Sequence, residues 1–359
     1  MSTAVVEFSD KARPALAQTD PAAQAAPPEA VLTQMITGSL GSQAVYVAAQ
    51  LGIADLLVHG PRRVEELAKA ADADADSLYR VLRALASFGV FEEHGNRVFA
   101  LTPTGELLRS DSPRSLRDLA IFMGEDWHWR VWGRTLYSVR TGKAAWGEVH
   151  GQEVFPYFAN NPEAAKIFDR AMTSLSNLAI KAVVEGYDFS DVHTLVDVAG
   201  GHGRLLTAIL DEHMSMHGVL FDQSHVLEGA KDNEHVKALG ERLKLVSGDF
   251  FESVPAGFDG YIMKHIIHDW DDERALQILR NIRNVMDDDG RVMLVETVIT
   301  NDGQPDLGKL LDIEMLVSPG GKERTAAEYR ELLAKAGLRM TQIVPTKSPY
   351  SVIEAVKSV

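Results

Sequence analysis

The chain has 359 residues, 45% of them hydrophobic and 24% charged, and a formal net charge of −15. Since single hydrophobic cores stop growing near roughly 250 to 300 residues, this length predicts two domains. The absence of cysteine excludes disulfides, thiolate zinc sites and a cysteine nucleophile, and it is typical of a cytoplasmic protein. The acidic excess opposes nonspecific binding to nucleic acid. The longest apolar runs, such as residues 290–295, are far shorter than the roughly 20 residues that span a membrane.

Residues 1–30 are rich in Ala, Pro and Gln. This composition cannot bury enough apolar surface to offset the entropy of ordering, so we expect a disordered tail. No basic segment followed by an apolar stretch marks it as a secretory signal. Residues 31–117 then show helical periodicity, followed by a short helix, a turn, a longer helix and two strands joined near residues 93–97. That order predicts a winged helix-turn-helix.

A winged helix-turn-helix often binds DNA, and its charge bears on this alternative. Residues 53–108 carry six basic and nine acidic side chains. A domain with net negative charge is a poor partner for phosphates. We therefore predict that residues 31–117 form a packing or dimerisation domain and bind no nucleic acid.

Residues 118–186 are predicted to be a helical linker that also contributes to a substrate pocket. Four of the five tryptophans of the chain fall in this segment. Clustered aromatic and methionine side chains are more often core than pocket, so only part of the set is expected to contact a ligand. Its large side chains are Phe122, Met123, Trp127, Trp129, Trp132, Trp146, Phe155, Phe158, Phe168 and Met172.

Residues 187–359 alternate short Val, Ile and Leu runs with amphipathic helices and close with two consecutive strands. This alternation predicts an α/β fold with a doubly wound, mostly parallel, seven-stranded sheet. Such sheets bind ligands beyond the carboxyl ends of their strands. Side chains at those ends are therefore the candidates for a site.

A glycine-rich turn, with Gly200, Gly201 and Gly203, follows the first strand of this half. Leu206 stands where a dinucleotide fingerprint needs its third glycine, and the Lys-Ser or Lys-Thr of a phosphate-binding loop is missing. Asp197 at the strand end would repel phosphate and favour a cationic ligand. The turn is therefore not built for a pyrophosphate.

Two further strands of this half end in acidic residues. Asp222, followed by Gln223, suits the two hydroxyls of a ribose. Asp249, beside Phe250, suits the amine of an adenine. Acids at successive strand ends predict a site for adenosine attached to a positive charge, and S-adenosylmethionine is that molecule.

Further motifs make a family resemblance specific: MKHIIHDWDDE from Met263, LVET from Leu294 and GGKERT from Gly320. Over residues 31–359 the chain resembles the small-molecule O-methyltransferases typified by plant caffeate and flavonoid O-methyltransferases, whose bacterial relatives act on phenazines and polyketides. The resemblance implies S-adenosylmethionine as cofactor, an intertwined homodimer built by the winged-helix domain, and a small aromatic substrate. Ala199 stands where that family usually has glycine, a change that should spare the turn.

The resemblance also implies catalytic and donor-binding roles. His268 would be the general base for an acceptor hydroxyl, since an imidazole with a pKa of about 6.5 is mostly neutral at pH 7. Glu296 or Glu323 would orient this imidazole and stabilise its charged form. Lys264 and Ser176 would contact the methyl donor, although a pairing of Lys264 with a neighbouring acid is an equal alternative.

For the acceptor pocket we expect contributions from Met123, Trp132, Phe168, Met172, Asp269 and Met315. Ala164 replaces a large aromatic residue of the plant enzymes, and the loop after Met315 is shorter than theirs. Both differences indicate an acceptor that is larger or differently placed. The direction of the Glu314 side chain stays open.

The segment 261–273 also has simpler explanations. Asp271, Asp272 and Glu273 suit the first turn of a helix, with Asp269 or Asp271 as its N-cap. His265 and His268 are candidate metal ligands, but their spacing, without an HExxH motif or cysteine, is weak support, so no metal is predicted.

Three alternatives for the function stay open. The same scaffold supports methylation of nitrogen or carbon, decarboxylation and hydroxylation. A ligand-sensing regulator would use the winged helix to bind DNA. An NAD-dependent oxidoreductase is opposed by the missing third glycine.

Overall fold

The computed structural model describes residues 27–358, apart from the side chains of residues 177 and 178. Most of the tail predicted for residues 1–30 therefore lies outside the described residues. The last part of that range is helical, because helix α1 begins at Pro28. Proline suits a first helical position, where its missing N–H costs no hydrogen bond, and Glu29 favours the positive end of the helix dipole.

The N-terminal part of the chain has the predicted winged helix-turn-helix order. Asp74 caps the longer helix by accepting a hydrogen bond from the Ser77 N–H at 2.8 Å. Three antiparallel strands pair in the order β1-β3-β2. The elements are α1 (Pro28–Gln50), α2 (Ile53–Leu56), β1 (Arg62–Arg63), α3 (Val64–Ala70), α4 (Ala75–Ser87), β2 (Phe91–His94), β3 (Val98–Leu101) and a 3₁₀ turn (Gly105–Leu108).

The middle segment is helical, and several of its aromatic side chains pack on one another. Trp146 is fully buried, and its ring centroid lies 5.6 Å from that of Phe158. Trp129 and Phe155 are exposed. The helices are α5 (Arg117–Gly124), α6 (Asp126–Trp132), α7 (Thr135–Thr141), α8 (Ala145–His150), α9 (Val154–Asn160) and α10 (Pro162–Gly186).

The C-terminal part is the predicted α/β fold. Its seven strands pair in the order β11-β12-β8-β7-β4-β5-β6, and only the pairings of β12 with β8 and β11 are antiparallel. The strands are β4 (Thr194–Val198), β5 (His217–Asp222), β6 (Leu243–Ser247), β7 (Gly260–Lys264), β8 (Arg291–Glu296), β11 (Leu338–Pro345) and β12 (Ser351–Lys357); β9 (Val298–Ile299) and β10 (Arg324–Thr325) form a small parallel pair. The helices are α11 (Arg204–Glu212), α12 (Ser224–Lys231), α13 (Glu234–Ala238), α14 (Asp272–Val285), α15 (Leu307–Val317) and α16 (Ala326–Lys335), with 3₁₀ turns at Gly240–Arg242 and Ile267–Asp269.

Side chains alternate between two hydrophobic clusters, one on each face of the large sheet. Leu195 packs with Ile209 of α11 in one cluster, whereas its neighbour Val196 packs with Ile278 of α14 in the other. Successive residues of a strand point to opposite faces, so a strand buried on both sides is apolar at every position. This explains the unbroken Val, Ile and Leu runs of the sequence.

Contacts divide the chain into a short N-terminal unit that ends at Gly41 and a large unit that begins at Ser42. The domain boundaries expected after residues 117 and 186 stay predictions. Among residues 27–358, no helix combines the length and the apolar character needed to cross a membrane.

The turn after β4 contains a residue with an unfavourable backbone conformation. Ala199 has a φ of +58°, in the left-handed region. An L-residue with a side chain pays about 1 to 2 kcal/mol there, whereas glycine does not. The turn still forms, because the Ala199 N–H donates to the Phe221 carbonyl at 2.8 Å.

We expect Ala199→Gly to increase the free energy of unfolding by about 1 kcal/mol, since it relieves this backbone strain. Ala84→Gly is the matched control, at an exposed position inside α4, and it should lower the free energy of unfolding by about 0.5 to 1 kcal/mol. Urea denaturation measures both. A loss of stability in Ala199→Gly equal to that of the control would contradict the strain.

Candidate active site

Four parallel strands bring their carboxyl ends to one edge of the sheet. β4 lies between β5 and β7, and β8 follows β7. The chain runs from β4 to β5 and β6 on one side of the sheet and then returns to β7 on the other side of β4. The winding direction therefore reverses between β4 and β7. Asp222, Lys264 and Glu296 are the last residues of β5, β7 and β8. The predicted site residues therefore converge at the edge where such sheets bind ligands.

Asp197 lies on β4, one residue before its end, and only 2% of its surface is exposed. Burial raises the pKa of this carboxyl to about 7, with Lys264 opposing the shift and Asp222 adding to it. Its Oδ2 atom has no hydrogen-bond partner among the described residues. A buried carboxylate needs a donor, which an ammonium or hydroxyl group of a ligand would provide. A Cβ on Gly200 would lie 2.5 Å from this same oxygen, so the turn requires glycine here.

Asp222 ties the glycine turn to the end of β5. Its Oδ2 accepts a hydrogen bond from the Gly201 N–H at 2.8 Å, and its Oδ1 accepts from the Gln223 N–H at 2.7 Å. Burial raises the pKa of Asp222, and these two hydrogen bonds partly oppose the shift. This contact joins two residues, Gly201 and Asp222, that are 21 positions apart in the sequence. The carboxylate therefore both shapes the turn and faces the ligand edge.

Asp249 is exposed and follows β6, the neighbour of β5. It accepts a hydrogen bond from the Phe251 N–H at 2.8 Å. The ring of Phe250 is half-buried, with its centroid 6.1 Å from that of Trp270. This places an acceptor and an aromatic face beside each other, as an adenine would require.

Lys264 and Ser176 lie 88 residues apart in the sequence and are brought together. Lys264 Nζ donates to Ser176 Oγ at 2.7 Å. Burial lowers the pKa of Lys264, while the charges of Asp197 and Glu296 act in the opposite direction. The lysine is thus held by the serine of α10, while two strand-end acids act on it through their charge.

His268 lies in the 3₁₀ turn just beyond β7, and its imidazole is nearly enclosed by carboxylates. Glu323 Oε1 is 2.8 Å from Nδ1, and Glu296 Oε2 is 3.6 Å from the same nitrogen. On the other side of the ring, Asp269 Oδ1 is 3.5 Å from Nε2. Of the two carboxylates expected to orient the base, Glu323 therefore makes the hydrogen bond.

These charges change the protonation expected for His268. Burial by itself lowers the pKa of an imidazole, but Glu296, Asp269 and Glu323 outweigh burial and raise the pKa of His268 to about 10. This raised pKa disagrees with the expectation of a mostly neutral imidazole at pH 7. That expectation used the ordinary pKa of an imidazole although one orienting carboxylate was expected, whereas the structure places three carboxylates around the ring.

Glu296 is completely buried and supports the turn that carries His268. Its Oε1 accepts hydrogen bonds from the N–H groups of Ile266 and Ile267 at 3.1 and 2.9 Å. Burial raises the pKa of Glu296, although the charge of His268 acts against this. Glu296 therefore fixes main-chain atoms and contributes charge near the ring without bonding it directly.

His268, Glu296 and Glu323 also bring three possible metal-ligand atoms within 4.8 Å of one another. Among the described residues this is the one such cluster. The other histidine considered as a ligand, His265, stacks on His268 with ring centroids 5.4 Å apart. His265 is not part of this cluster, so among the described residues the two histidines do not form a shared metal-ligand group.

The helices that carry residues expected in the acceptor pocket contain a buried polar connection that sequence reasoning missed. The carboxylate of Glu314 accepts a hydrogen bond from Trp132 Nε1 and lies 3.0 Å from His128 Nε2. His128 is fully buried on α6. The open question about Glu314 is thus answered: its side chain faces α6. No local sequence pattern links residues that lie 186 positions apart.

The other residues expected in the acceptor pocket lie on helices around this connection. Phe168 stacks on Phe158 with centroids 4.6 Å apart, and Met315 is buried next to Glu314 on α15. Met123 and Met172 are half-buried on α5 and α10, two helices that pack against each other. Phe168 thus belongs partly to the aromatic core.

The simpler explanation of the acids after His268 is correct for the helix start. Asp271 is the N-cap of α14 and accepts a hydrogen bond from the Arg274 N–H at 2.9 Å. Asp272 and Glu273 lie in the first turn. Asp269, in contrast, faces the imidazole.

Comparison with known proteins gives the family. The chain matches the O-methyltransferase dimerisation domain over residues 33–111 and the O-methyltransferase domain over residues 132–339. A phenazine O-methyltransferase of Lysobacter antibioticus is 43% identical over 333 residues, which cover 93% of this chain and 97% of that protein. A phenazine-1-carboxylate N-methyltransferase of Pseudomonas aeruginosa is 35% identical over 327 residues, or 91% and 97% of the two chains.

Solved structures agree with these matches. An O-methyltransferase from neocarzinostatin biosynthesis, crystallised with S-adenosyl-L-homocysteine and 1,4-dihydroxy-2-naphthoic acid, superposes with a TM-score of 0.75 at 34% identity. The match covers 88% of this chain and 95% of that one. The family resemblance, the fold class and the methyl donor expected from the sequence are confirmed. The chain is a member of the S-adenosylmethionine-dependent family of small-molecule O-methyltransferases, with a dimerisation domain followed by a methyltransferase domain.

Proposed function

We propose that this enzyme transfers a methyl group from S-adenosylmethionine to a hydroxyl of a small aromatic natural product, with His268 as the general base. The observation that carries the proposal is the hydrogen bond between His268 Nδ1 and Glu323 at 2.8 Å. This hydrogen bond fixes the ring so that Nε2 is the nitrogen that would take the proton from the hydroxyl of the methyl acceptor. The side chain keeps 13% of its surface exposed, so an acceptor can reach it.

The donor would be held at the strand ends. The oxygen of Asp197 that lacks a protein partner and the nearby Lys264–Ser176 pair suit its amino-acid part. Asp222 suits the ribose and Asp249 the adenine, beside Phe250. When bound, S-adenosylmethionine supplies an electrophilic methyl group on a positively charged sulfur, and its transfer leaves S-adenosylhomocysteine.

The high pKa of His268 affects both the strength and the availability of the base. A phenol has a pKa of about 10, and the raised pKa of His268 makes its neutral form a stronger base than an ordinary imidazole, which favours transfer of the proton to Nε2. The cost is that only a small fraction of the imidazole is neutral at pH 7. A cationic donor bound nearby would lower the pKa of His268 by charge repulsion and so enlarge that fraction.

An aromatic acceptor agrees with the side chains on the other side of the base. Met315 and Met172 offer polarisable thioethers for an aromatic ring, and Trp132 and Phe168 add aromatic surface. Two relatives are named for phenazines, and one related enzyme was crystallised with a naphthoic acid. We assign this chain the same broad class of acceptor.

The homodimer is also a proposal, supported by the dimerisation-domain match over residues 33–111. Helix α1 exposes a set of large apolar side chains: Val31, Leu32, Met35, Ile36 and Leu40. Exposed apolar side chains in such a group are typical of a protein interface. We expect a second copy of the chain to cover them.

N-methylation is the second candidate, because one relative is an N-methyltransferase. A ring nitrogen with a free lone pair needs no base to remove a proton. The two reactions therefore differ in their dependence on His268. NMR of the product, made with a ¹³C-labelled methyl donor, distinguishes an O-methyl from an N-methyl group.

We expect His268→Ala to lower kcat by at least about 10²-fold, since general-base catalysis commonly contributes about 10² to 10⁴. The acceptor is a phenol that the unmodified enzyme methylates, found by screening with labelled donor. The dissociation constant for S-adenosylhomocysteine should stay nearly the same. The matched control is His235→Ala, an exposed histidine of α13, and activity of His268→Ala equal to this control would reject His268 as the base.

Glu323→Gln should move the rising part of the pH dependence of kcat to lower pH. The neutral fraction of His268 increases as the pH rises toward its pKa, so kcat rises with pH until the donor-bound enzyme passes that pKa. Removing the negative charge of Glu323 lowers the pKa of His268, by about one to three units. Glu331→Gln, at an exposed position of α16, is the control. An unmoved rise in Glu323→Gln would contradict the coupling between the two side chains.

We expect Asp222→Ala to weaken binding of S-adenosylhomocysteine. A hydrogen bond to a charged group contributes about 1.5 to 3 kcal/mol, which corresponds to about 10- to 100-fold in affinity. Isothermal titration calorimetry measures the change, with the exposed Asp211→Ala of α11 as control. Equal affinities in the two variants would place the ribose elsewhere.

A further inference from the structure

Arg324 is completely buried and lies next to Glu323 in the sequence. The Nη1 atom of its guanidinium donates to the Ile267 carbonyl at 3.0 Å, and the Nη2 atom donates to the Trp270 carbonyl at 3.0 Å. Ile267 and Trp270 stand on either side of His268 and Asp269. The planar guanidinium therefore spans the main chain of the turn that carries the imidazole.

The charge of Arg324 is paired just after this turn. Its guanidinium lies 2.9 Å from Asp272 Oδ1, in the first turn of α14. An unpaired buried charge is costly, whereas a paired and hydrogen-bonded one is tolerated. The arginine thus connects the turn of His268 to the beginning of the next helix.

The backbone before Arg324 lies directly on the same turn. The Lys322 N–H donates to the His268 carbonyl at 2.9 Å. A Cβ on Gly321 would lie 2.0 Å from that carbonyl oxygen, so only glycine allows the approach. Because Glu323 holds the imidazole, one short segment, residues 321–324, contacts both the backbone and the ring of His268.

The opposite side of the turn is held by Glu296, which accepts from the N–H groups of Ile266 and Ile267. Buried charged side chains therefore bond the N–H groups that enter the turn and the carbonyl groups that flank His268. Such pairing leaves the backbone little freedom. Small displacements of a catalytic group, near 1 Å, can cost about 10²-fold in rate.

We propose that Arg324 is a positioning residue for the base: by spanning the Ile267 and Trp270 carbonyls it keeps His268 in hydrogen-bond contact with Glu323. It touches neither donor nor acceptor. Lysine would keep the charge of Arg324 but lacks the planar fork that reaches both carbonyls at once. The inference rests on the proposed function only where activity is measured.

The test is Arg324→Lys, with Arg280→Lys as the matched control. Arg280 donates to the carbonyl of Lys335 at 3.2 Å at an exposed position of α14, far from any proposed role. NMR follows the His268 ring signal, assigned by its loss in His268→Ala, through a pH titration. We expect the pKa of His268 in Arg324→Lys to fall toward the ordinary value of about 6.5, and kcat to fall about 10²-fold with little change in acceptor KM.

A thermal melt of each variant separates positioning from stability. A lower Tm with an unchanged His268 titration and an unchanged kcat would overturn the proposal and leave Arg324 a purely structural residue. If Arg324→Lys does not fold, Asp272→Asn replaces it, because that carboxylate is half-exposed, so water can partly replace it while the guanidinium is held less firmly. Asp272→Asn should shift the His268 titration in the same direction by a smaller amount, and no shift would reject the proposal. The titration needs no acceptor or donor, so it stands even if the proposed reaction is wrong.

Discussion

The hydrogen bond between His268 and Glu323 joins two parts of the chain that are 55 residues apart. The turn after β7 provides the imidazole, and the segment before β10 provides the carboxylate. Both lie beyond the carboxyl end of the sheet, where Glu296 ends β8. The arrangement of the strands is therefore what brings the imidazole of His268 and the acids around it together, and the rest of the site depends on that edge.

Burial and charge act against each other at this imidazole. Enclosure alone would make His268 a weaker base, but three surrounding carboxylates make it a stronger one. The same principle applies on the donor side, where burial raises the pKa of Asp197 to about 7 and makes a cationic partner favourable. Under the proposed function, such an acidic site would attract a sulfonium donor, and the bound positive charge would in turn favour the neutral form of His268.

Much of the architecture could be predicted from the sequence because it depends on local patterns. Apolar strand runs, the glycine turn around Gly201 and the N-cap at Asp271 each depend on neighbouring residues, and the structure contains all three. The contact between Glu314 and Trp132 spans 182 positions, and no periodicity indicates it. The raised pKa of His268 was predicted only in part, since an orienting Glu296 or Glu323 was expected, whereas the combined effect of three carboxylates depends on distances that only the folded chain sets. No role was predicted for Arg324, because the GGKERT motif was interpreted through Glu323. The burial of Arg324 and its two carbonyl partners appear only in three dimensions.

The central claim is that His268 removes a proton from an acceptor hydroxyl beside the methyl donor. A crystal structure with S-adenosylhomocysteine and a phenolic acceptor tests this most directly. The account predicts the acceptor oxygen about 2.6 to 3.2 Å from His268 Nε2, on the side of the ring that faces the donor sulfur. A hydroxyl bound away from this nitrogen, or a donor bound elsewhere than at the ends of β4, β5 and β7, would contradict it.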